Sequence, residues 1–171
     1  MENRFRDLFI EEIERRLLHE GWPRLVRCLE LLDDDEIWWR PNDHSNSVGN
    51  LVLHLCGNVR QWLISGLGGQ PDTRQRQSEF DESGPIPRQL LLEMLAQTMT
   101  EAQSVLHGIT AEKLLAPVRV QGYDENGISV LVHVVEHFSW HTGQATYFVK
   151  WKKDLFTDFY RGQNLDTTNE P

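Results

Sequence analysis

The sequence has few cysteines and no long apolar runs, and both shortages limit what the protein can be. Its two cysteines, Cys28 and Cys56, each lie inside an apolar stretch, so we expect buried thiols in a reducing cytoplasm rather than a disulfide. No apolar run approaches the roughly 18 residues that a membrane-spanning helix needs. The N-terminal segment MENRFRDLFIEEIERR is too charged for a secretory signal. These features favour a soluble, cytoplasmic protein without a membrane partner.

Positive charge is also in short supply. The chain has 17 Lys and Arg residues against 26 Asp and Glu residues, which gives a formal net charge of -9 at pH 7. Nucleic acid is therefore a poor default partner, because its phosphates would meet net repulsion. The length of 171 residues suits one domain with a single continuous core. We place this domain at residues 1–160 and a polar C-terminal tail at residues 161–171.

Apolar residues recur at helical spacing in the first third of the chain and predict two helices. The first helix runs over about residues 3–32. Gly21 and Pro23 predict a kink or a brief break in it, because proline removes a backbone donor and crowds the preceding turn. Ser47 is a suitable N-cap for a second helix at about residues 48–67, since its hydroxyl can accept a hydrogen bond from the first turn.

Two further helices follow, each after a long connection. A polar loop with charges of both signs comes first, and it is long enough to cross the end of a bundle or to cover a pocket mouth. Pro87 fits the first turn of a third helix, at about residues 87–107. The next connector contains VRVQGY, which predicts a short extended segment, and Ser129 then caps a fourth helix at about residues 130–150. The prediction is an all-α, four-helix bundle with a long loop between helices 2 and 3 and a long connector before helix 4.

The fourth helix carries the stretch HVVEHFSWHTGQ, in which His133, His137 and His141 follow one another at intervals of four residues. Residues four apart lie on nearly the same helix face, so His137 and His141 can both reach one metal ion. The face drifts by about 40° over four residues, which separates His133 from His141 by about 80°. One of these two outer histidines is therefore peripheral to a shared ion, and the spacing alone does not choose between them.

A third ligand is needed, because a catalytic zinc ion usually has three protein ligands and one open position. His54, in the stretch LVLHLCGN on the second helix, is the strongest choice. A single histidine between leucines is more often a core residue that bonds to the backbone. Two helices that both present histidine from an apolar face reverse that preference, because buried imidazoles without partners are destabilising.

The stretches NSVGNLVLHLCGNVRQW and EHFSWHTGQ, together with IWWRP after the first helix, resemble the DinB-like (DinB/YfiT-like) superfamily of metal-dependent enzymes. The resemblance covers most of the chain and includes S-x-G-N-L-x-x-H-L on helix 2 and H-x-x-x-H followed by G-Q on helix 4. It implies a four-helix bundle, often a homodimer, that binds a divalent metal such as zinc or nickel. The metal ligands implied are His54, His137 and His141, and His133 then becomes a pocket residue.

The better-understood members of this superfamily are transferases and isomerases that use bacillithiol, mycothiol or glutathione. The resemblance therefore implies a transferase that uses a low-molecular-weight thiol against small electrophiles. The family often has H-H-R-G-Q where this chain has Trp140, His141 and Thr142, and this departure affects the expected substrate class. Three neutral histidines leave the ion its full charge, which lowers the pKa of a bound thiol or water. A metal-dependent hydrolase and a non-catalytic metal-binding or interaction bundle are the alternatives.

Several other residues are candidates for the surroundings of the site. Glu136 could accept a proton during catalysis, or it could be solvated on the outer face of its helix. Asn58 and Gln144 could orient ligands or substrate, or could form hydrogen bonds between buried helices. Trp62 and Trp140 could line the pocket, although large aromatic residues in a bundle more often belong to the core. The predicted pocket residues are Asn58, Trp62, His133, Trp140 and Gln144.

Overall fold

The computed structural model describes residues 2–168, and most of these residues are helical. Four long helical segments provide most of the buried apolar side chains, and three short helices and one two-stranded sheet complete the secondary structure of the described residues. The prediction of a mainly helical fold is confirmed. The predicted domain at 1–160 and tail at 161–171 extend outside the described residues at Met1 and at 169–171.

The first long helical segment is continuous, so it has no break at Pro23; the disturbance predicted near Gly21 and Pro23 takes the form of a π-helical segment. The long segment consists of α1 (Glu2–Glu14), a π-helical segment (Arg15–Gly21) and α2 (Trp22–Leu31). Proline lacks a backbone N–H and its ring crowds a carbonyl of a regular α-helical turn. A wider π-helical turn directly before Pro23 accommodates both effects while the helix continues.

The second long segment carries one of the histidines. A short helix, α3 (Asp34–Trp38), precedes it, and α4 (Val48–Val59) then continues as a π-helical segment (Arg60–Ser65). Ser47 is the N-cap, as predicted: its Oγ accepts a hydrogen bond from the Asn50 backbone N–H at 3.1 Å, and the Asn50 side chain accepts one from the Ser47 N–H at 3.1 Å. This reciprocal pair satisfies two donors that the start of a helix leaves without partners.

The long polar loop before the third helix contains regular structure that its sequence did not predict. A six-residue helix, α5 (Arg76–Asp81), interrupts it and packs against α4. The third long helix, α6 (Arg88–Gly108), begins directly after Pro87 and also packs against α4. The loop is therefore a structured segment on the surface of α4 rather than an open connection.

The connector before the last helix contains α7 (Ala111–Leu115) and a β-hairpin. Strand β1 (Pro117–Val120) pairs in antiparallel register with β2 (Tyr123–Asn126). The extended segment predicted from VRVQGY is confirmed as β1 and its turn. Gln121 and Gly122 both have positive φ at this turn, which matches the geometry that tight hairpins require.

The last helix, α8 (Gly127–Lys153), carries the histidine-rich stretch and packs against α2, α4 and the first π-helical segment. Its N-cap is Asn126, so the prediction that Ser129 caps it is wrong. Asn126 Oδ1 accepts from the Ser129 backbone N–H at 3.0 Å, and Ser129 Oγ accepts from the Asn126 N–H at 3.0 Å. Within residues 2–168, no helix combines the length and the apolar character that crossing a membrane demands.

Candidate metal centre

Three histidines from two helices meet in the space between α4 and α8. His54 Nε2 lies 3.1 Å from His137 Nε2, and His141 Nε2 lies 3.3 Å from the same atom. One nitrogen from each of the three residues fits within a distance of 4.8 Å. Nitrogens that bind one tetrahedral zinc ion at about 2.0–2.1 Å lie about 3.3 Å from one another. Two of the three nitrogen pairs are close to this distance, and the three side chains together could hold one divalent ion.

A buried carboxylate holds His54 from behind. His54 Nδ1 lies 2.8 Å from Glu79 Oε2, and the guanidinium of Arg74 donates to both carboxylate oxygens, at 2.7 and 2.8 Å. Arg74 Nη2 also lies 3.1 Å from His54 Nδ1, but the shorter contact of this nitrogen is with an ionised carboxylate, which only accepts hydrogen bonds, so we assign the ring proton to Nδ1. The lone pair of its Nε2 then points toward the other two histidines, which is the usual arrangement of a metal-binding histidine.

Glu79 stays ionised in this buried position because its partners outweigh the effect of burial. Burial pushes the pKa of Glu79 upward, but the hydrogen bonds and charges of Arg74 and His54 hold it below its ordinary value. Gly57 on α4 makes the approach possible, since a Cβ at that position would clash with Glu79 Oε1. The glutamate thus reaches His54 across a helix surface that lacks a side chain.

The other two histidines differ in how their second ring nitrogens are satisfied. His141 Nδ1 lies 2.7 Å from Gln144 Oε1, so an Nδ1 proton donated to that oxygen again leaves the Nε2 lone pair directed at the cluster. Gln144 thus has the position of an orienting residue. His137 Nδ1 is buried and has no hydrogen-bond partner among residues 2–168.

The donor set fits a divalent cation better than it fits hydrogen bonding among the three rings. With protons on the Nδ1 atoms of His54 and His141, both Nε2 lone pairs face His137 Nε2, whose single proton could satisfy only one of them. Protonation of His137 is unfavourable, because burial and the neighbouring histidines lower its pKa to about 3. Burial also lowers the pKa of His141. The three imidazoles thus present converging ring nitrogens, and imidazole nitrogens are good ligands for zinc and similar ions.

His133 lies beside the cluster and is bound to other residues. Its ring stacks on Trp62, with centroids 3.7 Å apart, and its Nε2 accepts a hydrogen bond from Asn58 Nδ2 at 3.2 Å. Burial lowers the pKa of His133, so this ring is also neutral at pH 7. The nitrogen that could have approached an ion is therefore engaged by Asn58. The structure places His133, Asn58 and Trp62 together in the wall of the pocket.

A cavity of about 380 Å³ lies beside His54 and His137. The β-hairpin forms part of its wall: Gln121 Oε1 accepts a hydrogen bond from Trp62 Nε1 at 2.9 Å, and the Tyr123 ring lies 6.2 Å from the Trp62 ring. The cavity is large enough for a small molecule that also touches an ion bound by the histidines.

Glu136 and Trp140 do not line this cavity. Glu136 borders a separate groove between α8 and the first helical segment, beside Arg16 and Glu20. Trp140 is 66% exposed and lines another cavity along the outer side of α8. Neither side chain is placed to contact a molecule held beside His54.

The two cysteines are free and buried, as predicted, and they lie outside the three-histidine cluster. Burial raises the pKa of the Cys56 thiol to about 11, which makes it a poor metal ligand or nucleophile at neutral pH.

Sequence reasoning missed the residues that the loop and the hairpin contribute. Arg74 and Glu79 lie 20 and 25 positions after His54, in a polar stretch without a periodic pattern. Gln121 and Tyr123 belong to a turn whose sequence indicated only extended structure. The length of the loop, which suggested a cover for a pocket mouth, was the one available signal for the Arg74 and Glu79 side.

Together, the fold and the histidine cluster define a mainly helical protein with a three-histidine site that can hold a divalent metal ion. The sequence matches the DinB superfamily over residues 17–145. This match covers well over half of the chain, and the protein therefore belongs to the DinB superfamily.

Two solved structures have the same fold at low sequence identity. A DinB-like protein from Bacillus cereus ATCC 10987 is 14% identical, with a TM-score of 0.62, and the alignment covers 81% of this chain and 89% of that protein. A conserved protein from Enterococcus faecalis is 18% identical, with a TM-score of 0.66, covering 87% of this chain and 97% of that protein. At such identities the likeness concerns the fold alone. No curated protein matches the sequence significantly.

Proposed function

We propose that the protein is a divalent-metal-dependent enzyme, built as a four-helix bundle, that transfers a low-molecular-weight thiol to small electrophiles. The observation that carries the proposal is the convergence of the Nε2 atoms of His54, His137 and His141 beside a cavity of about 380 Å³. A site with three histidines keeps a position for a further ligand, whereas structural zinc sites are usually closed by four protein ligands. Zinc and nickel are the proposed ions.

The chain's own residues supply binding and orientation. His54, His137 and His141 hold the ion, and Glu79 and Gln144 fix the rings of His54 and His141 in the required tautomers. An ion bound there supplies Lewis-acid chemistry, which lowers the pKa of a thiol beside it and keeps the sulfur anionic at neutral pH.

The cavity wall suits a small electrophile next to such a thiol. Trp62 and Tyr123 offer aromatic surface, and the stacked pair of Trp62 and His133 is neutral at pH 7. The other side chains of the wall are polar or charged, and such groups fix the orientation of a small molecule in its site. The choice of a thiol over water as the nucleophile is supported by membership of a superfamily whose better-understood members use thiols.

The partners proposed for the protein follow the same reasoning. A net charge of -9 disfavours nucleic acid, and the volume of the cavity suits a small-molecule substrate. We also propose a cytoplasmic homodimer, because the superfamily is often dimeric and its thiol chemistry belongs to a reducing compartment.

The test is a transferase assay with protein loaded with zinc or nickel. A panel of thiols is offered with 1-chloro-2,4-dinitrobenzene; the sulfur bonds to the ring carbon, and chloride and the thiol proton leave. We expect metal-dependent thioether formation that His137→Ala abolishes and that His19→Ala, a change of an exposed histidine outside the cluster, leaves intact. Failure of every thiol, with metal-dependent hydrolysis of activated esters instead, would contradict the transferase and identify a hydrolase.

A further inference from the structure

Arg76 is a cation at the metal cavity whose charge has no counterion among residues 2–168. It lies at the start of α5 and lines the same cavity as His54 and His137. Its guanidinium carbon lies 4.8 Å from the centroid of the Phe80 ring, and the Phe80 ring lies 4.8 Å from the His54 ring. Phe80 therefore lies between the Arg76 guanidinium and the His54 ring, and its cation–π contact favours a position of Arg76 at the cavity edge on the His54 side.

The Arg76 guanidinium remains available for binding a ligand. A contact with an aromatic ring uses none of its five N–H donors, and these donors match the two oxygens of a carboxylate. Within the described residues, the Arg76 side chain makes neither a hydrogen bond nor an ion pair. Arg74, two positions earlier, differs because its guanidinium is neutralised by Glu79 and is almost completely buried.

Glu125 is the corresponding anion in the same cavity. It lies on β2, is half-buried, and lines the cavity together with Arg76. No hydrogen bond or ion pair of its carboxylate occurs in the part of the chain that the structure describes, and its neighbour Asp124 pairs instead with Arg119 at 3.6 Å. Arg76 and Glu125 thus line the same cavity with opposite charges, and they do not form an ion pair with each other.

We infer that the molecule bound in this cavity carries both a carboxylate, which Arg76 binds, and an ammonium group, which Glu125 binds. The ligand class is an amino-acid-like thiol, and this inference rests on the proposed function because the sulfur is placed at the metal. A single guanidinium, balanced by a single carboxylate, suits a monoanion better than a doubly charged phosphate. Arg76 and Glu125 are therefore specificity residues, which select the charged ends of the ligand.

The test compares three small thiols on zinc-loaded protein by calorimetry. The probes are 3-mercaptopropionate, which adds a carboxylate, cysteamine, which adds an ammonium group, and 2-mercaptoethanol, which adds neither. We expect Arg76→Gln to weaken the binding of 3-mercaptopropionate by about fivefold, the upper range for an exposed ion pair, and to leave the other two probes unchanged. Glu125→Gln is expected to weaken cysteamine alone by a similar factor.

Two matched variants control for a general change of surface charge. Arg119→Gln and Asp124→Asn remove one charge of each sign from the hairpin, at residues outside the cavity. Neither is expected to change the affinity of any probe. Equal affinities of 3-mercaptopropionate for wild type and Arg76→Gln, or of cysteamine for wild type and Glu125→Gln, would overturn the corresponding half of the inference.

A second probe series separates this inference from the thiol chemistry. The probes bind metal through an imidazole nitrogen instead of sulfur. Imidazole itself has no charged substituent, imidazole-4-acetate adds a carboxylate, and histamine adds an ammonium group. If every thiol fails but Arg76→Gln still weakens imidazole-4-acetate about fivefold, the thiol function is contradicted and the role of Arg76 is supported. Absence of binding in both series, or binding that neither Arg76→Gln nor Glu125→Gln changes, would overturn the inference.

Discussion

His54 is fixed at both of its ring nitrogens, and this determines how it can act. Its Nδ1 faces the carboxylate of Glu79 at 2.8 Å, and its Nε2 faces His137 Nε2 at 3.1 Å. The carboxylate selects the tautomer with hydrogen on Nδ1 and raises the basicity of Nε2. Arg74 in turn fixes Glu79 by hydrogen bonds to both of its oxygens. We therefore expect the affinity of the site for metal to depend on residues that do not touch the ion.

Replacing Glu79 by glutamine tests this dependence. Glu79→Gln keeps the shape of the side chain but removes the charge that attracts the Nδ1 proton and balances Arg74. We expect the dissociation constant for zinc to rise about ten- to a hundredfold, as is typical when such outer partners are lost. Competition with a chromophoric chelator measures the change.

Glu101→Gln is the matched control for this experiment. Glu101 also forms a two-fold hydrogen-bonded ion pair with an arginine, Arg60, at 2.8 and 3.0 Å, but it does not contact any histidine. Its loss is expected to leave metal affinity unchanged. Equal affinities for Glu79→Gln and wild type would show that Glu79 has no part in metal binding.

Cys56 provides a pH-dependent prediction that is independent of the metal. Burial raises the pKa of its thiol from 9.0 to about 11, so the folded state disfavours the thiolate. Its contribution to stability is complete below pH 9 and is lost as the pH rises from 9 to 11, where the unfolded chain releases the proton first. We expect the free energy of unfolding to fall by up to about 1.4 kcal/mol per pH unit from this group. Urea titrations between pH 8 and 11 measure it.

Cys56→Ala isolates the contribution of this thiol. The variant is less stable at every pH because it leaves a cavity, but its stability should fall less steeply than that of wild type between pH 9 and 11. Lysines and tyrosines titrate in both proteins and cancel in the comparison. Parallel stability curves would contradict the raised pKa.

At the scale of elements, the contact between α4 and the segment around α5 completes the metal centre. Glu79 lies on α5, His54 lies on α4, and Gly57, one turn after His54, provides the space through which they meet. Asn50 adds a second connection, because its side-chain amide donates to the backbone carbonyls of Glu79 and Glu82 at 2.9 and 2.7 Å. Two sets of hydrogen bonds thus attach the loop to α4, one between Glu79 and His54 and one from the Asn50 side chain.

Gly57→Ala tests whether this close approach is required. Alanine normally stabilises a helix interior relative to glycine by about 0.8–1.0 kcal/mol, but here its Cβ would clash with Glu79 Oε1. We expect Glu79 to be displaced from His54 and the dissociation constant for zinc to rise at least about tenfold, as when its hydrogen bond is lost. The chelator competition described for Glu79→Gln applies.

Gly143→Ala is the control for a glycine on the other helix of the site. A Cβ at Gly143 meets nothing within 4 Å, so the normal gain in helix stability is expected without loss of metal affinity. Wild-type affinity in Gly57→Ala would show that the contact between α5 and α4 does not support the metal centre.

At the scale of the whole molecule, the parts that could be predicted are those with a local pattern. The helical period predicts the long helices, and the spacing of His137 and His141 places them on one face because that geometry involves only one turn. His54 could be joined to them because it lies on an apolar helix face. Membership of the DinB superfamily, expected from the same stretches, is confirmed by the match over residues 17–145.

The parts that could not be predicted depend on distant contacts. Arg74 and Glu79 lie in a stretch with charges of both signs, where nothing local indicates which carboxylate turns inward. Asn126 and Ser129 are both good N-cap residues, and the hairpin that precedes α8 decides between them. Pro23 predicts a disturbed helix, but the local sequence does not show that the helix continues through a π-helical segment, which packs against the distant α8.

The central claim is that His54, His137 and His141 bind one divalent ion. It is tested most directly by the metal content of purified protein after exposure to zinc, nickel and manganese and removal of unbound ions. We predict one ion per chain for wild type and for His133→Ala, whose ring nitrogen is engaged by Asn58. Alanine at any of the three clustered positions is predicted to reduce the content well below one. A metal-free wild type, or loss of metal in His133→Ala alone, would contradict the account.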